Sequence, residues 1–112
     1  MIKRDRIKLI EEMLATNSED PFLNYAAALE YNKLGERKKA IKILEGIIKV
    51  TPDYLGGYYQ LGKLFEEENE YEKAIAVYKK GRKIATVQQN QKTLGELNEA
   101  LMLIDDDFDG SL

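Results

Sequence analysis

The sequence has no cysteine and no histidine, and only two prolines. Without cysteine, neither a disulfide framework nor a thiolate metal site can be built. Without histidine, the commonest general base near neutral pH and the commonest metal ligand are missing. No nucleophile–base constellation is visible either, so the chain is expected to be no enzyme and to need no cofactor or metal. No run approaches the roughly 18 uninterrupted apolar residues of a spanning helix. The opening Met1-Ile2-Lys3-Arg4-Asp5-Arg6 could begin a signal peptide, but Lys8, Glu11 and Glu12 interrupt the apolar residues that follow. A cytoplasmic location is the expectation, with no membrane partner.

Little net charge of either sign remains, only −3 over 112 residues, so nucleic acid is not expected as a main partner. Lys79-Lys80-Gly81-Arg82-Lys83 is the one dense basic run, and it lacks interleaved aromatics on which bases could stack. With 44% apolar and 33% charged residues, the chain has the balance of one folded domain with a modest core.

Periodicity and breakers give six helices, over about 2–16, 21–34, 37–50, 54–68, 71–85 and 90–104. Asp20-Pro21 reads as an N-cap followed by proline at the first helical position. Thr51-Pro52-Asp53 reads as a helix end, a break and a new cap at Asp53. Gly35 and Asn69 suit the left-handed conformation that closes a helix. Helix 37–50 is apolar on more than one side, through Ile41, Ile43, Leu44, Ile47 and Ile48, and is expected between neighbours.

Shifting the chain against itself by 34 positions aligns its parts. Tyr25 meets Tyr59, Glu36 meets Glu70, and Lys39-Ala40-Ile41 meets Lys73-Ala74-Ile75. Ala28 falls on Gly62, Tyr31 on Phe65 and Gly35 on Asn69. Small residues at 28 or 62 and at 40 or 74 let two antiparallel helices cross closely. Ile7-Lys8-Leu9-Ile10 aligns with Ile41-Lys42-Ile43-Leu44, which makes helix 2–16 the second half of a truncated repeat.

In the second unit Tyr58, Leu61, Gly62, Phe65, Tyr71, Ala74, Tyr78 and Gly81 resemble the tetratricopeptide repeat. The first unit is similar through Ala27, Ala28, Tyr31, Gly35, Ala40, Leu44 and Pro52, but has Asn24 where a large aromatic is usual. The second unit ends in Thr86 instead of proline, which suggests that the next helix follows without a sharp break. The resemblance implies an all-α fold of antiparallel helix-pair repeats, a right-handed solenoid. A half repeat at 2–16, repeats at 21–54 and 55–88 and a capping helix at 90–104 would form one domain over 1–104, followed by an acidic tail at 105–112. The cap would cover the last apolar face, as stacks of this kind require.

The resemblance also implies that the first helix of each pair lines a concave face. That face would carry Phe22, Tyr25, Ala26, Leu29 and Lys33 from the first unit, and Tyr59, Gln60, Lys63 and Glu67 from the second. Tyrosine offers a large rigid contact area with a polar tip, which suits Tyr25 and Tyr59 to peptide binding; the alternative is that both pack to support the stack. Some members of the family hold a C-terminal carboxylate of a chaperone with a lysine, asparagine and arginine clamp. The matching positions here are Tyr25, Leu29, Gln60, Asn90 and Leu94, too poor in cations for that ligand.

Two carboxylate clusters invite comparison with metal sites. Asp105-Asp106-Asp107-Phe108-Asp109-Gly110 resembles the opening of a calcium loop, but a bidentate glutamate is needed further on and the sequence stops at Leu112. A solvated, frayed tail is expected. Glu66-Glu67-Glu68, with Glu70 and Glu72, is expected to be a hydrated turn. The expected function is therefore a protein-interaction module binding a peptide or partner protein, with self-association into a homodimer as the alternative.

Overall fold

The computed structural model describes residues 3–108. Six helices follow in order: α1 (Lys3–Thr16), α2 (Pro21–Lys33), α3 (Arg37–Val50), α4 (Gly56–Glu67), α5 (Tyr71–Val87) and α6 (Gln91–Ile104). Among the described residues there is no strand. Residue 2, expected in the first helix, and residues 109–112 of the expected tail lie outside the described part.

Local chemistry explains most boundaries. The Asp20 side chain accepts a hydrogen bond from Leu23 N at 3.1 Å, with Pro21 at the first helical position. The N-cap position of α4 is Leu55 and not Asp53. Pro52 and Asp53 instead form a turn closed by Tyr54 N donating to Thr51 O at 3.0 Å, and α4 starts at Gly56 with no side-chain cap. The turn consumes the residues that sequence reading assigned to the helix start.

Three turns share one left-handed design. Gly35, Asn69 and Gln89 have φ of 84°, 60° and 57°. After each, the next backbone N–H reaches back to a carbonyl inside the preceding helix: Glu36 to Tyr31, Glu70 to Phe65 and Asn90 to Ala85, each at 2.9 Å. This is the Schellman closure, which satisfies carbonyls left over at a helix end. The third turn corrects the expectation of an unbroken passage after Thr86. Lacking a proline, α5 runs on to Val87, but the chain then turns sharply at Gln89, and Asn90 caps α6 by accepting from Thr93 N at 3.0 Å.

The described residues fall into two compact units that divide between Tyr54 and Leu55. In the first, α2 packs against both α1 and α3. Its core comprises Ile7, Ile10, Ala27, Ala28, Tyr31, Ala40, Leu44 and Ile47. In the second, α5 packs against both α4 and α6. Tyr58, Leu61, Phe65, Ala74, Tyr78, Leu97 and Leu101 form its centre. Each fully buried large side chain contributes about 1.5–3 kcal/mol of hydrophobic stabilisation.

The α4–α5 contact is reciprocal. A Cβ on Gly62 would strike the Tyr78 ring, 2.6 Å from Cδ1 and Cζ, while a Cβ on Gly81 would lie 2.6 Å from Tyr58 Cβ. Each helix thus offers a glycine to the other's tyrosine, and both tyrosines are buried. At the positions shifted by 34, the first unit uses Ala28 with Leu44 and Asn24 with Ile47. Side-chain volume has moved from one helix to the other, so the close crossing is kept with different residues.

Candidate functional site

Phe22, Tyr25, Ala26, Leu29 and Lys33 are spaced as one stripe of α2. Phe22 is 66% exposed, Tyr25, Ala26 and Leu29 are half-buried, and Lys33 is exposed. The opposite face of α2 carries the buried Ala27, Ala28 and Tyr31. Between Pro21 and Lys33 only Glu30 and Lys33 are charged, so the stripe is apolar as well as the packed face. Tyr25 leans on Tyr54 with ring centroids 5.5 Å apart at 55°, a tilted aromatic pair. Burial, followed by the neighbouring Tyr25 and then Asp20, raises the Tyr54 phenol above its ordinary value.

Tyr59, Gln60, Lys63 and Glu67 form the corresponding stripe of α4. Tyr59 and Gln60 are half-buried; Lys63 and Glu67 are exposed. The Tyr59 ring lies 6.2 Å from that of Tyr78, and Lys63 Nζ sits 5.7 Å from the Tyr59 centroid. Tyr25 and Tyr59 therefore each keep a ring contact within their own unit while part of each ring remains open.

A polar scaffold behind these stripes was not visible in the sequence. Glu30, buried in α2, receives Arg6 Nη1 at 3.2 Å and Lys33 Nζ at 3.5 Å. The Tyr31 hydroxyl donates to Glu11, and that of Tyr78 donates to Glu66. Glu66 is thus a partner of the core and not merely part of a hydrated turn. Burial first, and then the hydrogen bond to a carboxylate, pushes both phenols above their ordinary value near 10. Lys39 lies 4.1 Å over the Tyr31 ring and Lys73 lies 5.7 Å over Phe65, a cation–π contact repeated at positions 34 apart.

The start of the expected tail also departs from the solvated reading. Asp105 is buried, with Oδ1 accepting from Asp107 N at 3.0 Å and Oδ2 3.4 Å from Lys79 Nζ. The Lys79 contact is an ion pair without hydrogen-bond geometry, since Oδ2 makes no hydrogen bond. Arg82 stacks 5.8 Å from the Phe108 ring. Residues 105–108 are therefore docked on α5. Among the described residues, no group of three or more carboxylates is placed to hold a metal ion.

A family model for the tetratricopeptide repeat matches twice, over residues 23–54 and 55–85. The chain belongs to the tetratricopeptide repeat family. The tetratricopeptide repeat domain protein from Salinibacter ruber is 37% identical, with a TM-score of 0.74 over 77% of this chain and 96% of that one. A MamA structure is 25% identical, with a TM-score of 0.68 over 75% of this chain and 46% of that one. The cell division cycle protein 27 homolog A of Arabidopsis thaliana is 27% identical over 71 residues. That alignment covers 63% of this chain, but only 10% of the length of the plant protein.

Tetratricopeptide repeats are generally protein–protein interaction modules, and two features of this chain acquire meaning in that frame. Asn24, where the repeat usually has a large aromatic, ties the α1–α2 turn by donating to Ser18 O at 3.0 Å and to Asp20 O at 2.9 Å. At the positions matching the family's carboxylate clamp, Asn90 is engaged as the α6 cap and Leu94 is buried. Neither offers a cation to a carboxylate.

Proposed function

We propose that this tetratricopeptide repeat chain is a non-catalytic adaptor, holding a peptide segment or a partner protein's surface on the stripes of α2 and α4. The observation that carries this reading is the composition of α2. Its packed face is complete, yet the other side presents an exposed Phe22 beside the half-buried Tyr25, Ala26 and Leu29. A helix needs only one apolar stripe to join a fold. The second stripe suits a contact made on binding, with rigid aromatic anchors of the kind that dominate interfaces. Lys33 at the end of the α2 stripe and Lys63 within the α4 stripe add charge that orients a partner.

The test is affinity capture of partners by the wild-type chain and by Phe22→Ala and Tyr59→Ala, with circular dichroism to check each fold. A partner held by the wild type and lost by both folded variants supports the reading. Equal capture by all three overturns it.

Self-assembly is a second reading, favoured by Leu9 and Met13 on α1 and by Met102 and Leu103 on α6, all of which are exposed. Light scattering across a concentration range checks it. A mass that stays monomeric removes self-assembly, and a concentration-dependent dimer places it ahead of peptide binding.

A further inference from the structure

The first unit contains an open groove of about 260 Å³ along α3, away from the α2 stripe. Pro21, Asn24, Ile43, Ile47 and Val50 form much of its wall, with Gly46 among the lining residues and Lys42 at its side. We propose that this groove takes an acidic peptide segment of a partner protein, seating one bulky apolar side chain beside Gly46 and pairing carboxylates with Lys38, Lys42 and Lys49.

Gly46 is the first argument. It lies inside α3, has no positive φ, and a Cβ added there would meet nothing within 4 Å. Neither packing nor conformation calls for glycine, although it costs a helix about 1 kcal/mol relative to alanine. Gly62 and Gly81 differ, since each receives a tyrosine. What the glycine at 46 provides is depth in the groove. Next to it Val50 is 64% exposed, an apolar wall facing water.

Size supports a single side chain as the occupant. A cavity of about 150 Å³ holds benzene, and dedicated small-molecule pockets begin at about 300 Å³. This groove falls between them, with room for a phenylalanine or leucine side chain.

Charge selects the partner. Helix α3 carries Arg37, Lys38, Lys39, Lys42 and Lys49 against Glu45 alone, a net charge of +4 in a chain whose total is −3. Lys38, Lys42 and Lys49 share one side of the helix by their spacing, with Glu45 between the last two, and none of the three lysines is ion-paired among the described residues. Screening extends over about 8 Å at physiological salt, so a segment lying on α3 responds to these lysines more than to the distant carboxylates. Glu19 on the groove wall and Glu45 on the helix restrict where its carboxylates can sit. The wall mixes the apolar Pro21, Ile43, Ile47 and Val50 with the polar Ser18, Asn24 and Thr51 and has no aromatic platform for stacked bases, which favours a peptide over a nucleic-acid strand.

An array of short peptides, with aspartates flanking one variable position, would be probed with the full chain. Selected peptides would then be titrated by fluorescence anisotropy beside a single-stranded oligonucleotide. The expected preference is for Phe or Leu over Ala at the variable position and for flanking Asp over Lys, with affinity falling as salt rises. Gly46→Phe, whose Cβ would meet nothing within 4 Å and whose ring is meant to occupy the groove, and Lys42→Glu should each weaken binding about tenfold or more. Gly46→Phe should keep an unfolding midpoint at or above the wild-type value, so its loss of binding would not reflect unfolding. Tyr59→Ala should leave this binding unchanged, which separates it from failure of the α2 and α4 reading. No preference for acidic peptides, equal binding by Gly46→Phe, or binding of the oligonucleotide alone would overturn the proposal.

Discussion

Replacing Gly62 by alanine adds one methyl group, and the geometry fixes the sign of its effect. The new Cβ would lie 2.6 Å from Cδ1 and Cζ of Tyr78. That ring is fully buried and its hydroxyl is held by Glu66, so it cannot swing aside. Overpacking of this kind costs up to about 3 kcal/mol, while alanine regains about 1 kcal/mol of helix propensity. The expected net loss is about 2 kcal/mol, a shift of about 1 M in a urea midpoint for a small domain. Gly95→Ala in α6 meets nothing within 4 Å and should instead stabilise by about 1 kcal/mol. The first unit supplies a rescue, because Ala28 and Leu44 are buried at the equivalent positions. Gly62→Ala combined with Tyr78→Leu should lose less than the two single changes added together, by about 1–2 kcal/mol. Urea unfolding followed by far-UV circular dichroism measures the wild type and all four variants, Tyr78→Leu alone included. If Gly62→Ala raises the midpoint as Gly95→Ala does, or if the double variant is merely additive, the close crossing of α4 and α5 is refuted.

Three other outcomes follow from named contacts. Asp20→Ala removes the acceptor for Leu23 N and should cost about 1 kcal/mol in thermal or urea unfolding. Gln89→Gly relieves a non-glycine residue at φ 57° and should raise stability by about 1 kcal/mol, where an unchanged melting temperature would contradict the strained turn. The raised Tyr78 phenol remains protonated in the fold when the unfolded chain ionises, so its stabilisation is complete below pH about 10 and declines above it. Urea midpoints measured between pH about 9 and 11 should therefore fall less steeply for Tyr78→Phe than for the wild type.

Much of the fold was legible because repetition checks itself. Gly35 and Asn69 aligned at a shift of 34, and both adopt positive φ. Gln89 escaped notice because glutamine is not a residue that signals a left-handed turn. The same backbone closure is imposed there by the hydrogen bond from Asn90 to Ala85. Asp53 misled for the opposite reason, since a good capping residue sits beside a proline whose turn takes precedence. The stripes of α2 and α4 come from the family resemblance, and only the helical spacing of their residues is legible in the sequence itself. The bonds from Tyr31 to Glu11 and from Tyr78 to Glu66 could not, because a glutamate on a charged helix reads the same whether it meets water or a buried phenol. Asp105 was hidden similarly: three consecutive aspartates look solvated until Lys79 is brought beside the first.

The charge distribution changes what the small net charge means. Helices α3 and α5 each carry five basic residues against one acidic residue, so each has a net charge of +4 within a chain of −3. The remaining residues must therefore sum to −11. Near-neutrality arises from segregation along the chain and not from even mixing. On α5 the basic side already holds an acidic, aromatic segment of its own chain, with Lys79 on Asp105 and Arg82 on Phe108. On α3 the lysines at 38, 42 and 49 have no such cover among the described residues, and Gly46 opens a groove beside them. The α5 contact thus shows, inside one molecule, the chemistry proposed for a partner on α3: carboxylate to lysine, with an apolar ring laid beside it. A reader of net charge alone would discard an acidic ligand for an acidic protein. Screening over about 8 Å makes the local sign decisive.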